Sequence, residues 1–251
     1  MSKGFQPPYY VIAESAHEIQ NPTSEEKIVL LGERVGLKRG SRVLDIAAGR
    51  GGPALILSRA FECTIECIER EPAFYEAAIE RATADELSHL VSFRLADASK
   101  PEESPLPERY DAALCLGASF VYGGLEETIT ALTPAVRPGG YVAVGEPYWR
   151  QLPAPEDDED GNEPYKTLLA TVGLIESLGL PIVSVIASSE DDWDRYETLH
   201  WRSVEHWLAE NPVEDRDAIL VRRQHEREKE RYLAVMRELL GWAIFVGWKR
   251  P

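Results

Sequence analysis

Short runs of mostly apolar residues alternate with longer segments of helical periodicity in the first part of the chain. Each run is short and nearly wholly apolar, which is typical of strands buried on both faces of a sheet. The predicted strands are 42–46, 62–68, 91–95, 110–116 and 141–144. The segments between them include helical patterns at 72–84 and 125–136. This order predicts parallel βαβ units joined by right-handed crossovers in a doubly wound α/β fold.

The second half of the chain departs from strict alternation. Its predicted elements are a helix at 165–178, a strand at 181–188 and a last strand at 242–248. Residues 190–241 contain two helical patterns split by Asn211-Pro212 and lack a core of their own. We predict that 190–241 form a helical insert, or lid, and that residues 1–40 form an N-terminal helical cap. The chain 1–251 is therefore expected to be a single domain.

The most informative stretch runs from Val43 to Gly52, where an apolar strand ends in an acid and a turn of very small residues leads into a helix. Glycine permits unusual backbone dihedrals and lets a ligand approach the backbone closely. The helix N-terminus presents free N–H groups and the positive end of the helix dipole. Nicotinamide and flavin dinucleotides use such a turn as well. The turn therefore predicts a nucleotide-type cofactor without choosing among them.

Later strand ends carry further polar chemistry. Glu69 closes the second strand, eighteen residues after Gly51, where an acid can accept both hydroxyls of a ribose. Asp97 follows the third strand, Leu116 ends the fourth, and the turn 137–140 (Arg-Pro-Gly-Gly) precedes the fifth. A nicotinamide-dependent oxidoreductase shares the first turn and the second-strand acid.

The ordered set of motifs, across about residues 25–150, resembles the class I S-adenosylmethionine-dependent methyltransferases. The family's first turn reads acid-x-Gly-x-Gly-x-Gly; Asp45, Gly49 and Gly51 match, and Ala47 replaces the first glycine. The resemblance implies a Rossmann-like, mostly parallel seven-stranded sheet with helices on both faces and an antiparallel C-terminal strand. It also implies S-adenosylmethionine as the cofactor.

The second half adds a narrower resemblance. Segments 145–153 and 193–196 look like parts of a little-characterised bacterial group, similar to small-molecule methyltransferases, within the same superfamily. That resemblance brings no assigned methyl acceptor with it.

The family resemblance implies a role for each matching residue. The implied cofactor-binding residues are Asp45, Ala47, Gly49, Gly51, Glu69, Asp97, Ala98 and Leu116. The first turn and the Leu116 carbonyl would hold the methionine portion, and Glu69 would take the ribose hydroxyls. Asp97 would meet the adenine amino group, with the Ala98 N–H near the ring. The alternative is that the acids at 69 and 97 only cap the helices that follow them.

Residues after the fourth and fifth strands are expected to face the acceptor, because the crevice of an open α/β sheet lies beyond the carboxyl ends of its strands. The predicted acceptor-binding residues are Tyr10, Tyr122, Tyr148, Trp149 and Tyr196. A base is needed only if the acceptor carries a proton, and the candidate catalytic residues are Glu146, His200, Tyr148 and His17. The alternatives are surface or interface roles for the histidines, a structural hydrogen bond for Glu146, and aromatic rings that pack the lid onto the core. Rings that bind a cationic amine are a further hypothesis.

Composition narrows the partners and the compartment. A net charge of −16 argues against nucleic acid, because a phosphate backbone would be repelled. No apolar run is long enough to cross a bilayer, and no signal-type core follows the N-terminus, so a cytoplasmic location is expected. Three cysteines, Cys63, Cys67 and Cys115, are expected in the core of a protein from a reducing compartment. No metal site is predicted, since the spacing of His200 and His206 does not suit zinc.

These observations predict an enzyme that transfers a methyl group from S-adenosylmethionine to a small soluble acceptor by direct in-line displacement. Two alternatives stay open at this point: a nicotinamide-dependent oxidoreductase, and a module that binds S-adenosylmethionine without catalysis. The identity of the acceptor does not follow from the motifs.

Overall fold

A seven-stranded sheet forms the centre of the computed structural model, which describes residues 8–100, 107–152, 165–211 and 216–251. The strands are β1 (Arg42–Ile46), β2 (Thr64–Glu69), β3 (Val91–Leu95), β4 (Tyr110–Leu116), β5 (Val136–Trp149), β6 (Ile182–Ala187) and β7 (Leu240–Trp248). Their order across the sheet is β3-β2-β1-β4-β5-β7-β6. The first five strands pair in parallel, whereas β7 runs antiparallel between β5 and β6. The predicted fold class is confirmed.

Helices cover both faces of the sheet. They are α1 (Tyr9–Ala13), α2 (Glu25–Arg34), α3 (Gly52–Phe61), α4 (Pro72–Ala84), α5 (Leu125–Leu132), α6 (Leu168–Ser177), α7 (Glu190–Glu210), α8 (Arg216–Arg231) and α9 (Arg237–Leu239). One apolar layer includes Leu31 of α2 and Leu57 of α3, and the other includes Ile129 of α5 and Ile175 of α6. The strand order reverses between β1 and β4, and a crevice for ligands is expected at such a switch point.

The fifth strand is much longer than its apolar run predicts. Pairing with β7 continues from Tyr141↔Trp248 to Trp149↔Leu240, so the whole of 141–149 is extended. Ladder hydrogen bonds to a neighbour therefore override the turn-forming character of Gly145 and Pro147. Strand geometry sends successive side chains to opposite faces. Residues 145–149, which we expected in a loop over the site, thus belong to the sheet.

The N-terminal helix and the helices between β6 and β7 share a small apolar cluster. Ile12 of α1 packs in it with Val204 and Leu208 of α7 and with Val221 of α8. A π-helical turn at 232–236 then leads through α9 into β7. This arrangement places residues 8–16 against the segment 190–241. The division into cap, insert and domain, and the lid role of the insert, stay predictions.

Cysteine placement agrees with the expectation for a core role, because Cys63, Cys67 and Cys115 are all buried and free. Within the described ranges, no helix has the length and apolarity needed to span a membrane.

The insert begins at a capping box that can be tested. The Ser189 Oγ accepts from the Asp192 N–H at 3.1 Å, and the Asp192 carboxylate accepts from the Ser189 N–H at 2.8 Å. We expect Ser189→Ala to lower the free energy of unfolding by about 1 kcal/mol, because one end-of-helix N–H loses its partner. Urea denaturation measures the change. Thr198→Ala, an exposed change within the same helix, should not lower it; equal losses in both variants would contradict the cap.

Candidate functional site

The turn after β1 has an unusual backbone. Ala47, Gly49 and Gly51 all have positive φ, at 55°, 56° and 78°. A non-glycine residue in this region carries strain on the order of 1 kcal/mol. Ala47 therefore keeps the conformation that glycine would adopt at the first position of the motif. Gly51 is the N-cap of α3, and an added Cβ there would crowd Phe93.

The segment 17–21 lies directly on this turn. Added Cβ atoms would collide with Gln20 at Gly49, with the Glu18 carbonyl at Gly52 and with Asn21 at Gly117. At Gly52 the collision is with backbone, so a side chain has no room there, whereas at Gly49 and Gly117 a positive φ of 56° and 79° favours glycine.

Hydrogen bonds hold that segment in place. The Arg50 N–H donates to the Gln20 Oε1 at 2.6 Å, and the Arg50 Nε donates to the His17 carbonyl at 3.0 Å. The Asn21 Nδ2 donates to the Leu116 carbonyl at 3.1 Å, which links the segment to the end of β4. Neither Gln20 nor Asn21 was predicted at the site, because only tertiary contacts bring these two residues to the turn. These contacts close one side of a cavity at the switch point.

The cavity has a volume of about 420 Å³. Its walls include Tyr10, Glu14, Glu18, Gln20, Asn21, Asp45, Ala47, Ala48, Gly49, Glu69, Arg70, Glu71, Phe74, Leu116, Gly117, Phe120 and Tyr196. Carboxylates dominate the charged groups: Glu14, Glu18, Asp45, Glu69 and Glu71 face one arginine, Arg70. The cavity therefore favours a ligand that carries positive charge.

Asp45 and Glu69 lie side by side at the strand ends and are 2% and 5% exposed. The Glu69 carboxylate accepts from three backbone N–H groups, those of Gly49, Arg70 and Glu71, at 2.7–2.8 Å. The Asp45 Oδ2, in contrast, has no hydrogen-bond partner among the described residues. Burial, with the nearby charge of Glu69, raises the pKa of Asp45 to about 7. A cationic group in the cavity would supply the missing partner.

Comparisons with known proteins identify the family of this chain. A family model described as a methyltransferase domain matches residues 43–140. The uncharacterized Escherichia coli protein YjhP is 34% identical over 244 residues, which are 95% of this chain and 97% of YjhP. Its X-ray structure superposes with a TM-score of 0.90. A methyltransferase from Thiobacillus denitrificans, solved with S-adenosyl-L-homocysteine, is 35% identical, covers 99% of this chain and 100% of its own, and has a TM-score of 0.89.

The chain is a class I S-adenosylmethionine-dependent methyltransferase. A further relative, the 27-O-demethylrifamycin SV methyltransferase of Amycolatopsis mediterranei, is 28% identical over 192 residues, 72% of this chain and 69% of that protein. The cofactor of the methyltransferase is S-adenosylmethionine, and the cavity fits it. The unpartnered Asp45 oxygen and the excess of carboxylates suit the ammonium and sulfonium charges of that molecule.

Two residues implied for the adenine side lie outside the cavity wall. Asp97 and Ala98 follow β3 at the same sheet edge as Glu69, whose carbonyl accepts from the Ala96 N–H at 2.9 Å. The Asp97 Oδ1 accepts from the Ser99 N–H and hydroxyl at 3.1 and 2.7 Å, as a turn-capping residue does. Gly51 is also outside the wall. The structure thus brings together two of the three motif carboxylates.

Glu146 lies in a second cavity of about 620 Å³, which shares Gly117 and Phe120 with the first. Its other walls include Ser119, Gly124, Glu126, Glu127, Pro147, Tyr165, Lys166, Thr171 and Leu174. The Glu146 Oε1 is buried without a hydrogen-bond partner in the described part of the chain. Burial raises the pKa of Glu146 to about 7, against a lowering by a hydrogen bond from Ser119.

Three predicted acceptor-facing aromatics lie elsewhere. Tyr148 and Trp149 continue β5 and alternate into the two apolar layers, where Trp149 packs edge-on against Tyr165 at a centroid distance of 5.9 Å. Tyr122 packs against the layer that contains Tyr148. None of the three contributes to the wall of either cavity. Tyr148 and Trp149 lie in the layers because β5 continues past residue 144, where we expected it to end. Neither cavity supports an acceptor-binding role for the three residues, which stays a prediction.

The remaining predicted residues meet at the boundary of α1 and α7. Tyr10 and Tyr196 line the first cavity, where the Tyr10 hydroxyl donates to Glu71 and the Tyr196 hydroxyl to Glu14, each at 2.6 Å. His200 is behind the wall, with its Nε2 2.9 Å from the Glu14 Oε1. Burial lowers the pKa of His200, but hydrogen bonds with Glu14 and Glu197 outweigh burial and raise it to about 9. A protonated imidazole cannot act as a base.

The raised pKa of Asp45 predicts a dependence of stability on pH. The folded protein binds a proton between pH about 4 and 7 that the unfolded chain does not, so the free energy of unfolding falls as pH rises through this window. Asp45→Asn removes this proton uptake. Without cofactor, the free energy of unfolding of the variant relative to that of the wild type should therefore increase from pH 4 to pH 8 by on the order of 2–4 kcal/mol. Urea denaturation across that range measures the difference. Glu76→Gln, at an exposed site, should show the same dependence of unfolding free energy on pH as the wild type. If Asp45→Asn also showed the wild-type dependence, Asp45 would be solvated in the folded protein.

Proposed function

We propose that this methyltransferase transfers its methyl group to a small soluble acceptor bound in the second cavity. The observation that carries the proposal is the junction of the two cavities at Gly117 and Phe120. One cavity holds carboxylates suited to the cofactor, and the other holds the unpartnered Glu146 oxygen. A volume of about 620 Å³ is in the range of small-molecule sites. The relative named for demethylrifamycin SV supports an acceptor of this class.

The cofactor-binding roles are those that the family resemblance implies, and the burial of Asp45 and Glu69 at the first cavity supports two of them. Asp45, the backbone of 47–51 and the Leu116 carbonyl would hold the methionine portion. Glu69, already oriented by three N–H donors, would accept from the ribose hydroxyls. Asp97 and the Ala98 N–H, which follow β3, would contact the adenine outside the wall of the first cavity. When bound, S-adenosylmethionine supplies a methyl group activated by a sulfonium.

Glu146 would act as the general base for an acceptor that loses a proton. Its pKa near 7 places it between its two protonation states at neutral pH, which suits a group that takes a proton during the reaction. The Glu146 Oε1 is buried, which would limit the competition of water for the acceptor's N–H or O–H. Burial and alignment of the acceptor would supply the rest of the acceleration. Tyr10 and Tyr196 would orient ligands from the opposite wall.

The alternatives make different demands on the same cavity. A nicotinamide dinucleotide carries an anionic pyrophosphate, which five wall carboxylates against one arginine would repel. A module without catalysis would have no use for an unpartnered acid of raised pKa in a second cavity. We further propose, with the net charge of −16 as support, that the partner is not a nucleic acid and that the protein acts in the cytoplasm.

The direct test is turnover. The protein is incubated with methyl-labelled S-adenosylmethionine and, in separate reactions, with the low-molecular-mass, protein and nucleic acid fractions of a cell extract. The low-molecular-mass fraction should support release of S-adenosylhomocysteine and place the label in a small product. Defined amines, alcohols and thiols then identify the acceptor atom. Label in the protein or nucleic acid fraction alone would contradict a small acceptor, and an absence of turnover with every fraction would contradict transfer.

Glu69 can be tested through cofactor binding. Glu69→Ala should weaken S-adenosylmethionine binding by about 1.5–3 kcal/mol, since charged hydrogen bonds to the ribose are lost. Titration monitored by tryptophan fluorescence gives the affinity. Glu66→Gln is a matched control on the same strand. The Glu66 carboxylate pairs with Arg42 and Arg109 and belongs to neither cavity wall. Unchanged affinity in Glu69→Ala would place the ribose elsewhere.

Glu146 can be tested once an acceptor with a proton is known. Glu146→Gln should lower kcat by about 10²–10⁴-fold while cofactor affinity stays within threefold of wild type. Wild-type kcat should rise with pH through about 7 as the carboxyl ionises, and the variant should lose this rise. A variant with an unchanged pH profile would show that Glu146 is a structural residue.

A further inference from the structure

Three potential metal ligands meet behind the wall of the first cavity. Glu14 and His17 come from the 3-10 turn that follows α1, and His200 comes from α7, 186 positions after Glu14. One ligand atom from each lies within 4.8 Å of the other two. The imidazole rings of His17 and His200 have centroids 4.5 Å apart. Because the residues are distant in the chain, their spacing gave no sign of this cluster.

Hydrogen bonds determine which atoms of the cluster are free. The His17 Nε2 is 2.9 Å from the Tyr196 carbonyl, which can only accept, so Nε2 carries the hydrogen. In the neutral ring, Nδ1 then has a lone pair directed at the Glu14 Oε2, 3.5 Å away. His17 is 2% exposed, and neither its Nδ1 nor the Glu14 Oε2 has a hydrogen-bond partner among the described residues. Two buried acceptors that face each other need a cation between them.

The surrounding groups are those that support metal ligands in proteins. Metal-bound histidines usually donate their other ring N–H to a carbonyl or a carboxylate. His17 does so to the Tyr196 carbonyl, and the His200 Nδ1 lies 3.7 Å from the Glu197 carboxylate. The Tyr196 hydroxyl donates to the Glu14 Oε1, which leaves Oε2 for an ion. Two carboxylates around two imidazoles also make the site attractive to positive charge.

We propose that Glu14, His17 and His200 bind a divalent transition metal ion, with zinc as the reference ion. The ligand atoms are the Glu14 Oε2, the His17 Nδ1 and the His200 Nε2, and the His200 Nε2, which now contacts the Glu14 Oε1, would release its proton to solvent when the ion binds. Two imidazoles and one carboxylate suit zinc, cobalt or iron, whereas calcium and magnesium prefer oxygen ligands alone. Ligand atoms around a tetrahedral zinc are about 3.3 Å apart, whereas the three atoms here lie within 4.8 Å of one another. Displacements of the side-chain atoms on the order of 1 Å would bring them to coordination distance.

An ion at this position would join the N-terminal turn to α7. Glu14 and Tyr196 also line the first cavity, so the ion would lie at the wall of the cofactor site. Three protein ligands leave one coordination position for water or another ligand. The proposal does not depend on the acceptor or on Glu146, because it rests on the cluster alone.

Metal binding is tested on tag-free, full-length protein that has been stripped with a chelator. Calorimetric titration with Zn²⁺ should give one site per chain, and Co²⁺ should produce the visible absorption bands of a coordinated ion. Zinc should also raise the thermal midpoint, since it binds the folded state. X-ray absorption of the zinc-loaded wild type should show imidazole scattering, a readout that needs no variant.

Variants assign the ligands. His17→Ala and Glu14→Gln should each weaken Zn²⁺ binding by at least about tenfold and remove the thermal shift. His206→Ala, an exposed histidine on the same helix as His200, should bind as wild type does. Circular dichroism and S-adenosylhomocysteine binding report whether each variant is folded. Absent Co²⁺ bands in the wild type, or equal zinc affinity in His17→Ala, would overturn the proposal and leave a proton between His17 and Glu14.

Discussion

The site depends on the removal of two neighbouring carboxylates from water. Asp45 and Glu69 lie at the carboxyl ends of the adjacent parallel strands β1 and β2, where little solvent reaches them. Backbone N–H groups satisfy Glu69, but no described residue satisfies the Asp45 Oδ2. A buried charge without a partner costs several kcal/mol unless it is neutralised. A positively charged ligand group is therefore favoured beside Asp45.

The glycine turn and the N-terminal segment together shape the cavity beside these two carboxylates. The turn supplies close backbone approach, and the segment 17–21 lies on it and restricts access from one side. Gly49 serves both purposes, because it has a positive φ and an added side chain there would displace Gln20 from the turn. The methyltransferase motif is therefore as much a packing surface as a ligand loop in this chain.

The two cavities divide the chemistry between cofactor and acceptor. The first is bounded by β1, β2 and the N-terminal segment, and the second by β5, α5 and α6, with Gly117 and Phe120 in both walls. A raised pKa at Asp45 in the first and at Glu146 in the second has the same cause, which is burial. The contacts of these two acids give them separate proposed roles, one in binding and one in proton transfer. His200, another of the candidate bases, instead contacts the Glu14 and Glu197 carboxylates behind the wall.

The sequence by itself determined the alternation of strands and helices and the small-residue turn, because these are local signals, whereas the seven-stranded sheet and the cofactor class came from the family resemblance of its ordered motifs. It predicted β1 and β3 to the residue, and it predicted Asp45 and Glu69 at the site. Only the tertiary structure decided the length of β5, since pairing with β7, nearly a hundred residues later, extends it and carries Tyr148 and Trp149 into the core. The same holds for Gln20 on the turn and for the cluster of Glu14, His17 and His200. Contacts between distant parts of the chain leave no periodicity or spacing in the sequence, so their chemistry appears only when the chain is folded.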